Sequence, residues 1–221
     1  IKSRQLDASK GFNHATYDEV LAPLGVKFPR NIPAGNKGVE KVGDIIGTAY
    51  DAAFQGARVP FDPQMQSNIQ QAVSNASLEM PQTRLDMLNN AIKEKITSRL
   101  NQNGELSGTE LEAAKNWLSQ KARSLASAAD PEQRALGAAY GDVLDALKDS
   151  LGRADPQRGA MLKAADKAYA GFVRVAGAAS SNNARGKGGV FSANQFGQAV
   201  RSADSSVRKM NFAKGNAMMQ D

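Results

Sequence analysis

Residues 130–157 read DPEQRALGAAYGDVLDALKDSLGRADPQ and contain a complete helix pattern with a start signal at each end. Asp130 is a helix cap, Pro131 fits a first turn, and Glu132 places an acid near the positive end of the helix dipole. The apolar residues that follow recur at three- and four-residue steps and so share one face: Leu136, Ala139, Tyr140, Val143, Leu144, Leu147 and Leu151. Because Asp155 and Pro156 repeat the start signal, the sequence predicts two successive long helices.

Similar patterns occur on both sides of this stretch. Toward the carboxyl end, a second apolar stripe begins at Met161 and continues to Val173. Toward the amino end, two overlapping capping boxes at 107–110 and 109–112 predict a helix that ends near Ala128. Two further helices are predicted where apolar residues recur with the same period, over 63–77 and 81–100. Short connections between such helices favour an up-and-down bundle.

The amino-terminal part has a different character. Residues 1–37 are predicted to be an irregular lead-in with a short helix over 15–22, since three prolines then interrupt the chain: Pro23, Pro29 and Pro33. The first long helix is predicted over 38–55, where apolar residues again recur at three- and four-residue steps.

The carboxyl-terminal part begins with a break in the apolar period. Residues 180–189 are rich in Ser, Asn and Gly and lack any apolar period, which predicts a flexible loop. Ser192 and Gln195 then form a capping box at the start of a helix, and a more basic helical segment comes after it. No segment shows the alternation typical of a strand.

These patterns predict an all-α fold, a helical bundle of about six to eight helices with an irregular Pro/Gly-rich amino-terminal lead-in and a basic carboxyl-terminal helical segment. We divide the chain into three parts on this basis. Residues 1–60 hold the lead-in and the first helix, 61–178 a central antiparallel helical bundle, and 179–221 the flexible loop and the basic helices.

The composition leaves few residues for catalysis. The chain has no cysteine, which excludes disulfides, thiolate nucleophiles and cysteine-based zinc sites. The only histidine, His14, lies in the lead-in, where a surface or packing role explains it better than general-base catalysis. The acid pairs Glu110 with Glu112 and Asp142 with Asp145 fit capping and dipole effects better than the paired carboxylates of a glycosidase. We therefore predict a non-enzyme with no catalytic residue, no metal site and no cofactor.

Positive charge is concentrated near the carboxyl end. From Arg174 to Lys214 the sequence has seven bases and one acid, Asp204, so this segment accounts for the whole formal net charge of +6. Interspersed Phe and Met residues make it an amphipathic basic pattern. That pattern fits packing on the bundle, docking to a partner chain, or contact with nucleic acid or an anionic membrane surface. The candidate nucleic-acid or partner contacts are Arg185, Lys187, Arg201, Arg208, Lys209 and Lys214.

The basic stretch RGKGG at 185–189 also has two interpretations. It lacks the Gly-x-x-x-x-Gly-Lys-Ser/Thr pattern and the preceding strand of a phosphate-binding loop. A solvated linker is favoured over a non-specific phosphate contact, although the basic side chains fit both.

Two sets of segments at the ends of the chain resemble one family. The first set contains FN at 12–13, VLAPLGVKFP at 20–29, VGD at 42–44 and AYD at 49–51. The second contains GGVFSANQ at 188–195, AVR at 199–201, Asp204 and GNAMMQD at 215–221. Together they resemble large virion-associated proteins of tailed phages and prophages, of the internal or DNA-ejection type. The central helices are not covered by the resemblance.

The resemblance implies a helical virion protein packed in the capsid interior or at the portal and neck. Such proteins leave with the genome and assemble in the host cell envelope as a channel. The implied partners are other virion proteins, namely further copies in a homo-oligomer or portal or neck proteins, together with the DNA backbone or an anionic membrane surface. Two other classes stay open: an accessory domain of a peptidoglycan hydrolase, and a helical DNA-binding or adaptor protein.

Overall fold

Helices dominate the structure, a computed structural model that describes residues 2–204, 209–214 and 216–219. Helix accounts for 75% of the chain, and within these residues strand is limited to two three-residue segments. The all-α class predicted from the sequence is therefore confirmed. In chain order the elements are α1 (Lys2–Leu21), α2 (Asn36–Phe54), β1 (Arg58–Pro60), α3 (Pro63–Ser77), α4 (Gln82–Lys95), β2 (Glu105–Ser107), α5 (Gly108–Ala126), α6 (Pro131–Ala154), α7 (Pro156–Ala179), α8 (Asn182–Arg185), α9 (Ala193–Ala203) and α10 (Met210–Ala213).

The chain begins with the long helix α1, where the sequence patterns predicted an irregular lead-in with a short helix over 15–22. That prediction was wrong because most residues of α1 are polar and show no continuous apolar stripe. Only its second half reaches the core, through Phe12, Tyr17, Val20 and Leu21. A 3-10 turn at Ala22–Leu24 and Gly25, with φ of 68°, end the helix, and the irregular Pro/Gly-rich part is confined to 25–35.

Strands β1 and β2 form an antiparallel pair that the sequence patterns did not predict. Val59 pairs with Leu106, and both side chains are fully buried. Three residues are too few to show the alternation from which strands are recognised, and Pro60 argues against a strand assignment. The expectation of no strand was therefore wrong for these two segments.

Several predicted helix boundaries are confirmed, and others differ from the prediction. The side chain of Asp130 caps α6, and Ser192 with Gln195 forms a capping box on α9. Of the two overlapping boxes predicted at 107–112, Ser107 is the residue that caps α5. The helix predicted over 81–100 ends earlier, because the backbone of Ile96 (φ −121°, ψ −72°) leaves the helical range. The last basic helix is short, with four residues in α10.

The contacts group the chain into two compact units. Unit 1 consists of Ile1–Tyr50 and Lys163–Asp221, and unit 2 consists of Asp51–Leu162. The divisions fall inside α2 and α7. The three-part division drawn from the sequence stays a prediction.

Unit 1 has an aromatic core. The rings of Tyr17 and Phe28 lie 4.8 Å apart, and Phe191 stacks on Phe196 at 5.9 Å. The backbone N–H of Gly35 donates to the hydroxyl of Tyr17 at 3.1 Å, and burial raises the pKa of that hydroxyl to about 12. Burying each large apolar side chain contributes about 1.5–3 kcal/mol. This core holds the two ends of the chain in one unit.

Unit 2 is centred on the pair α5 and α6. Leu118 of α5 and Val143 of α6 are among its fully buried side chains. Gly137 lets the two helices approach closely, since a Cβ at this position would lie 2.8 Å from the Cβ of Leu125. Helix α3 also packs on α6, and the hydroxyl of Ser150 donates to the carbonyl of Pro60, which ties α6 to β1.

Candidate functional site

The bases proposed as contacts lie on three short segments of unit 1. Arg185 ends α8, and Lys187 lies in the next turn. Arg201 lies in the last turn of α9. Lys209 and Lys214 flank α10. Arg208 lies outside the described residues. Four of the side chains are exposed to solvent, and we call these four the exposed bases: Arg185, Lys187, Arg201 and Lys214.

Arg185 and Lys187 project from a backbone that is anchored to the core of unit 1. The carbonyl of Gly188 accepts a hydrogen bond from the N–H of Asn36 at 2.8 Å. Gly189 has φ of 83°, and a Cβ there would collide with the side chain of Asn36. Where the sequence predicted a flexible loop over 180–189, helix α8 occupies part of the segment. Beyond it, Gly188 and Gly189 are in close contact with Asn36.

Beyond Gly189, the backbone of Phe191 is held by the side chain of Asn13. The Asn13 side chain is fully buried; its Nδ2 donates to the carbonyl of Phe191 at 2.6 Å, and its Oδ1 accepts from the N–H of Phe191 at 3.2 Å. The ring of Phe12 meets the rings of Phe191 and Phe196 nearly edge-on, with centroids 6.1 and 6.0 Å apart. Residues of the two resembling segments are thus in direct contact.

The two lysines beside α10 differ in their surroundings. Lys214 is exposed. Lys209, which has φ of 57°, turns its Nζ back toward the preceding segment. This ammonium group donates to the backbone carbonyls of Ser202 and Asp204. Lys209 therefore holds its own segment in place, a role that its position in the sequence does not reveal.

The only acid between Arg174 and Lys214, Asp204, is turned inward. It is 6% exposed, and its Oδ2 accepts from the N–H of Phe212 at 3.0 Å. Burial lowers the pKa of the nearby Arg174 guanidinium, while the charge of Asp204 opposes that shift. Because this acid is buried, the described residues between Arg174 and Lys214 expose cationic side chains and no carboxylate.

His14 has packing contacts. Its Nε2 lies 3.1 Å from the carbonyl oxygen of Ile32, and its ring centroid lies 5.5 Å from that of Phe28. The carboxylate of Asp18, one helical turn later, accepts from the N–H of Phe28 at 2.8 Å and pairs with Arg30. These partners account for both side chains without a substrate.

The acid pair on α6 lies on a solvent-facing part of the helix. Asp142 and Asp145 are both exposed. Partial burial raises the pKa of Asp142, and the neighbouring charge of Asp145 raises it further. In the described part of the chain, no group of three or more His, Asp or Glu side chains is arranged to hold a metal ion.

Among the residues that the structure describes, no helix is both long enough and apolar enough to cross a membrane.

Two of the clefts on unit 2 have charged side chains on their walls. The larger, of about 650 Å³, lies at the start of α5 and has Asp51, Arg58 and Glu112 on its wall. The smaller, of about 420 Å³, lies between the end of α4 and α5, and we call it the Trp117 cleft. Its wall includes one aromatic ring, two cations and one acid: Trp117, Lys95, Arg99 and Glu110.

The Trp117 cleft is a candidate binding site that the sequence patterns did not reveal. Trp117 and Lys121 are four residues apart on α5, a spacing that places them on one helix face. This spacing was the one signal available in the sequence. Lys95 belongs to α4 and Arg99 to the 3-10 turn Thr97–Arg99, so their approach depends on tertiary packing.

The fold and these sites together define an all-α protein with exposed bases on unit 1 and a cationic aromatic cleft on unit 2. Comparison with protein-family models, with curated proteins and with solved structures gave no match.

Proposed function

We propose that this chain is a non-enzymatic structural protein of a tailed-phage virion, of the internal or ejection type. It assembles with further copies of itself or with portal and neck proteins, and its exposed bases contact the DNA backbone. It resides in the capsid interior or at the portal and neck, and moves to the host cell envelope on infection.

The contacts between the two resembling segments support this function. Asn13 and Phe191 exchange two hydrogen bonds in the core of unit 1. In the same unit, Gly171 faces both Val20 and Met219, which belong to the first and second set of resembling segments. Residues that lie far apart in sequence thus pack together in one structural unit, as expected if the resemblance reflects a common fold.

The observation that carries the DNA contact is the exposure of cations in a segment whose acid is buried. Arg185, Lys187 and Arg201 are exposed, whereas Asp204 is 6% exposed. Lysine and arginine side chains that neutralise phosphates release counterions, so binding through them weakens steeply as salt rises. We therefore expect sequence-independent binding to DNA at low salt.

Reversing the charge of three exposed bases tests this contact. In the triple variant Arg185→Glu, Lys187→Glu and Arg201→Glu, duplex DNA affinity at low salt should fall at least about tenfold, because each lost phosphate contact removes about 0.9 from the slope of log affinity against log salt. Fluorescence anisotropy of labelled duplex measures both quantities. Co-sedimentation with anionic vesicles measures the membrane contact in parallel.

A matched control removes the same charge elsewhere. Lys93, Lys163 and Lys167 are exposed, and the triple variant Lys93→Glu, Lys163→Glu and Lys167→Glu should bind DNA nearly as the parent does. Unchanged binding in the first variant, or an equal loss in both, would contradict the role of the exposed bases. A cell-wall zymogram of the same preparation should show no clear zone; a clear zone would instead favour the hydrolase class.

A further inference from the structure

The Trp117 cleft combines an aromatic ring with several cations. The ammonium groups of Lys95 and Lys121 lie 5.5 and 5.7 Å from the centroid of the Trp117 ring. Both distances are within the range in which a cation is attracted to the face of an aromatic ring. Arg99 lines the same cleft and is exposed. Two ammonium groups therefore lie near the indole, and one guanidinium lines the same cleft.

The indole is held in a fixed orientation. The ring of Tyr140 packs against it nearly perpendicularly, at 83° and with centroids 5.3 Å apart. Trp117 is partly exposed, while Leu118 beside it is buried in the core of unit 2. A rigid aromatic side chain that stays partly accessible in a cleft is a suitable platform for stacking a flat ligand.

The charges of the cleft select an anionic ligand. On the wall, Lys95 and Arg99 outnumber the one acid, Glu110. Lys121 adds a further cation near the ring of Trp117. Glu94 pairs with Lys95 through Oε1 at 3.0 Å, and the side chain of Glu94 is itself largely exposed. A volume of about 420 Å³ is within the range of small-ligand sites and suits one nucleotide.

We propose that the Trp117 cleft binds single-stranded nucleic acid, with one base stacked on Trp117 in place of a lysine ammonium and the adjoining phosphates contacted by Arg99 and Lys121. An unpaired base offers the flat face that stacking needs, whereas the bases of a duplex are already stacked on one another. The cleft lies in unit 2 and shares no residue with the exposed bases of unit 1. It does not depend on the proposed virion function.

Fluorescence of Trp117, the only tryptophan of the chain, reports directly on this cleft. Titration of the full chain with a short oligothymidine should quench the emission to a saturating level. An abasic oligonucleotide of the same length keeps the phosphates and removes the bases. It should bind about tenfold more weakly, because stacking of each base on an aromatic side chain contributes about that factor or more.

Single variants at exposed cations test the phosphate contacts. Arg99→Gln and Lys121→Gln should each weaken binding severalfold and lower the salt slope by about 0.7, the value for one phosphate of a single strand. Both side chains are exposed, so the fold is expected to persist. Lys93→Gln, at an exposed position of α4 outside the cleft wall, is the matched control and should leave the affinity unchanged.

Three results would overturn this site. The first is binding of oligothymidine without quenching of Trp117, and the second is an abasic strand that binds as tightly as oligothymidine. The third is a Lys93→Gln control whose affinity is as low as that of Arg99→Gln. The charge-reversal variant of the exposed bases should retain full quenching at saturation. Duplex binding by this variant reports on the exposed bases, and quenching of Trp117 reports on the cleft. A failure of one proposal is therefore distinguishable from a failure of the other.

Discussion

At the scale of single residues, Asn13 joins the amino-terminal helix to a segment near the other end of the chain. Its amide matches the backbone N–H and carbonyl of Phe191 with one donor and one acceptor. Both backbone groups are buried, and a buried polar group without a partner costs about 1–3 kcal/mol. The side chain therefore replaces the hydrogen bonds that an adjacent strand would provide.

Replacing Asn13 by alanine should lower the free energy of unfolding by about 3 kcal/mol, because both groups of Phe191 lose their partner. Urea unfolding followed by far-UV circular dichroism measures the change. Asn194→Ala is the control, since Asn194 is exposed in α9 and such surface changes stay within about 0.5 kcal/mol. A loss in Asn13→Ala no larger than in the control would contradict the role of this amide.

Residue identity alone predicted part of the candidate contacts. Arg185 and Lys187 were chosen because positive charge is concentrated near the carboxyl end, and both are exposed in the structure. Lys209 shows the limit of that reasoning, since its ammonium group donates to the carbonyls of Ser202 and Asp204. Composition does not report which lysine donates to the backbone of its own segment.

At the scale of elements, the start of α3 is set by Asp62. Its Oδ1 accepts from the N–H of Met65 at 2.7 Å, and Arg153 of α6 donates to the same oxygen at 3.0 Å. The bond from Met65 is the largest influence on the pKa of Asp62. Together with Arg153 it outweighs the opposing effect of burial and lowers that pKa. One carboxylate thus caps a helix and joins two helices of unit 2.

The capping role of Asp62 predicts a stability that depends on pH. Asp62→Ala should lose about 1 kcal/mol at neutral pH. Since the folded-state pKa is lowered, the stabilisation is present above the unfolded-state value of about 3.9 and disappears as pH falls through the folded-state value. The deficit of the variant, measured by urea unfolding, should therefore narrow in acid.

The conservative variant separates the cap from the charge. Asp62→Asn keeps a good capping residue but loses the ion pair with Arg153. At neutral pH its free energy of unfolding should be closer to that of the parent than the value for Asp62→Ala. It should also lack the part of the pH dependence that titration of this carboxylate contributes. A deficit in Asp62→Ala that is the same at neutral and acid pH would rule out this account.

The helices that were predictable have strong local signals at their starts. Asp130 and Ser192 cap their helices as the spacing of neighbouring residues indicated. Helix α1 was missed because its first half is polar and its core contacts depend on distant partners such as Phe191. The Trp117 cleft was missed for a related reason, since Lys95 and Trp117 belong to different helices.

At the scale of the whole molecule, segments distant in sequence build one unit. Asn13 and Phe191 are 178 residues apart, yet they exchange two hydrogen bonds inside unit 1. Hydrophobic periodicity is a local signal and carries no information on such pairings. The all-α class was therefore predictable from the sequence, whereas the partnership of the two chain ends was not.

We propose that this protein works by assembling and by binding polyanions rather than by making or breaking covalent bonds. Light scattering of the full chain at low salt, alone and with duplex DNA, tests it most directly. We predict a mass that is a multiple of the chain mass, together with several chains bound to each DNA molecule. A single chain per particle under both conditions, with no association with DNA, would contradict the claim.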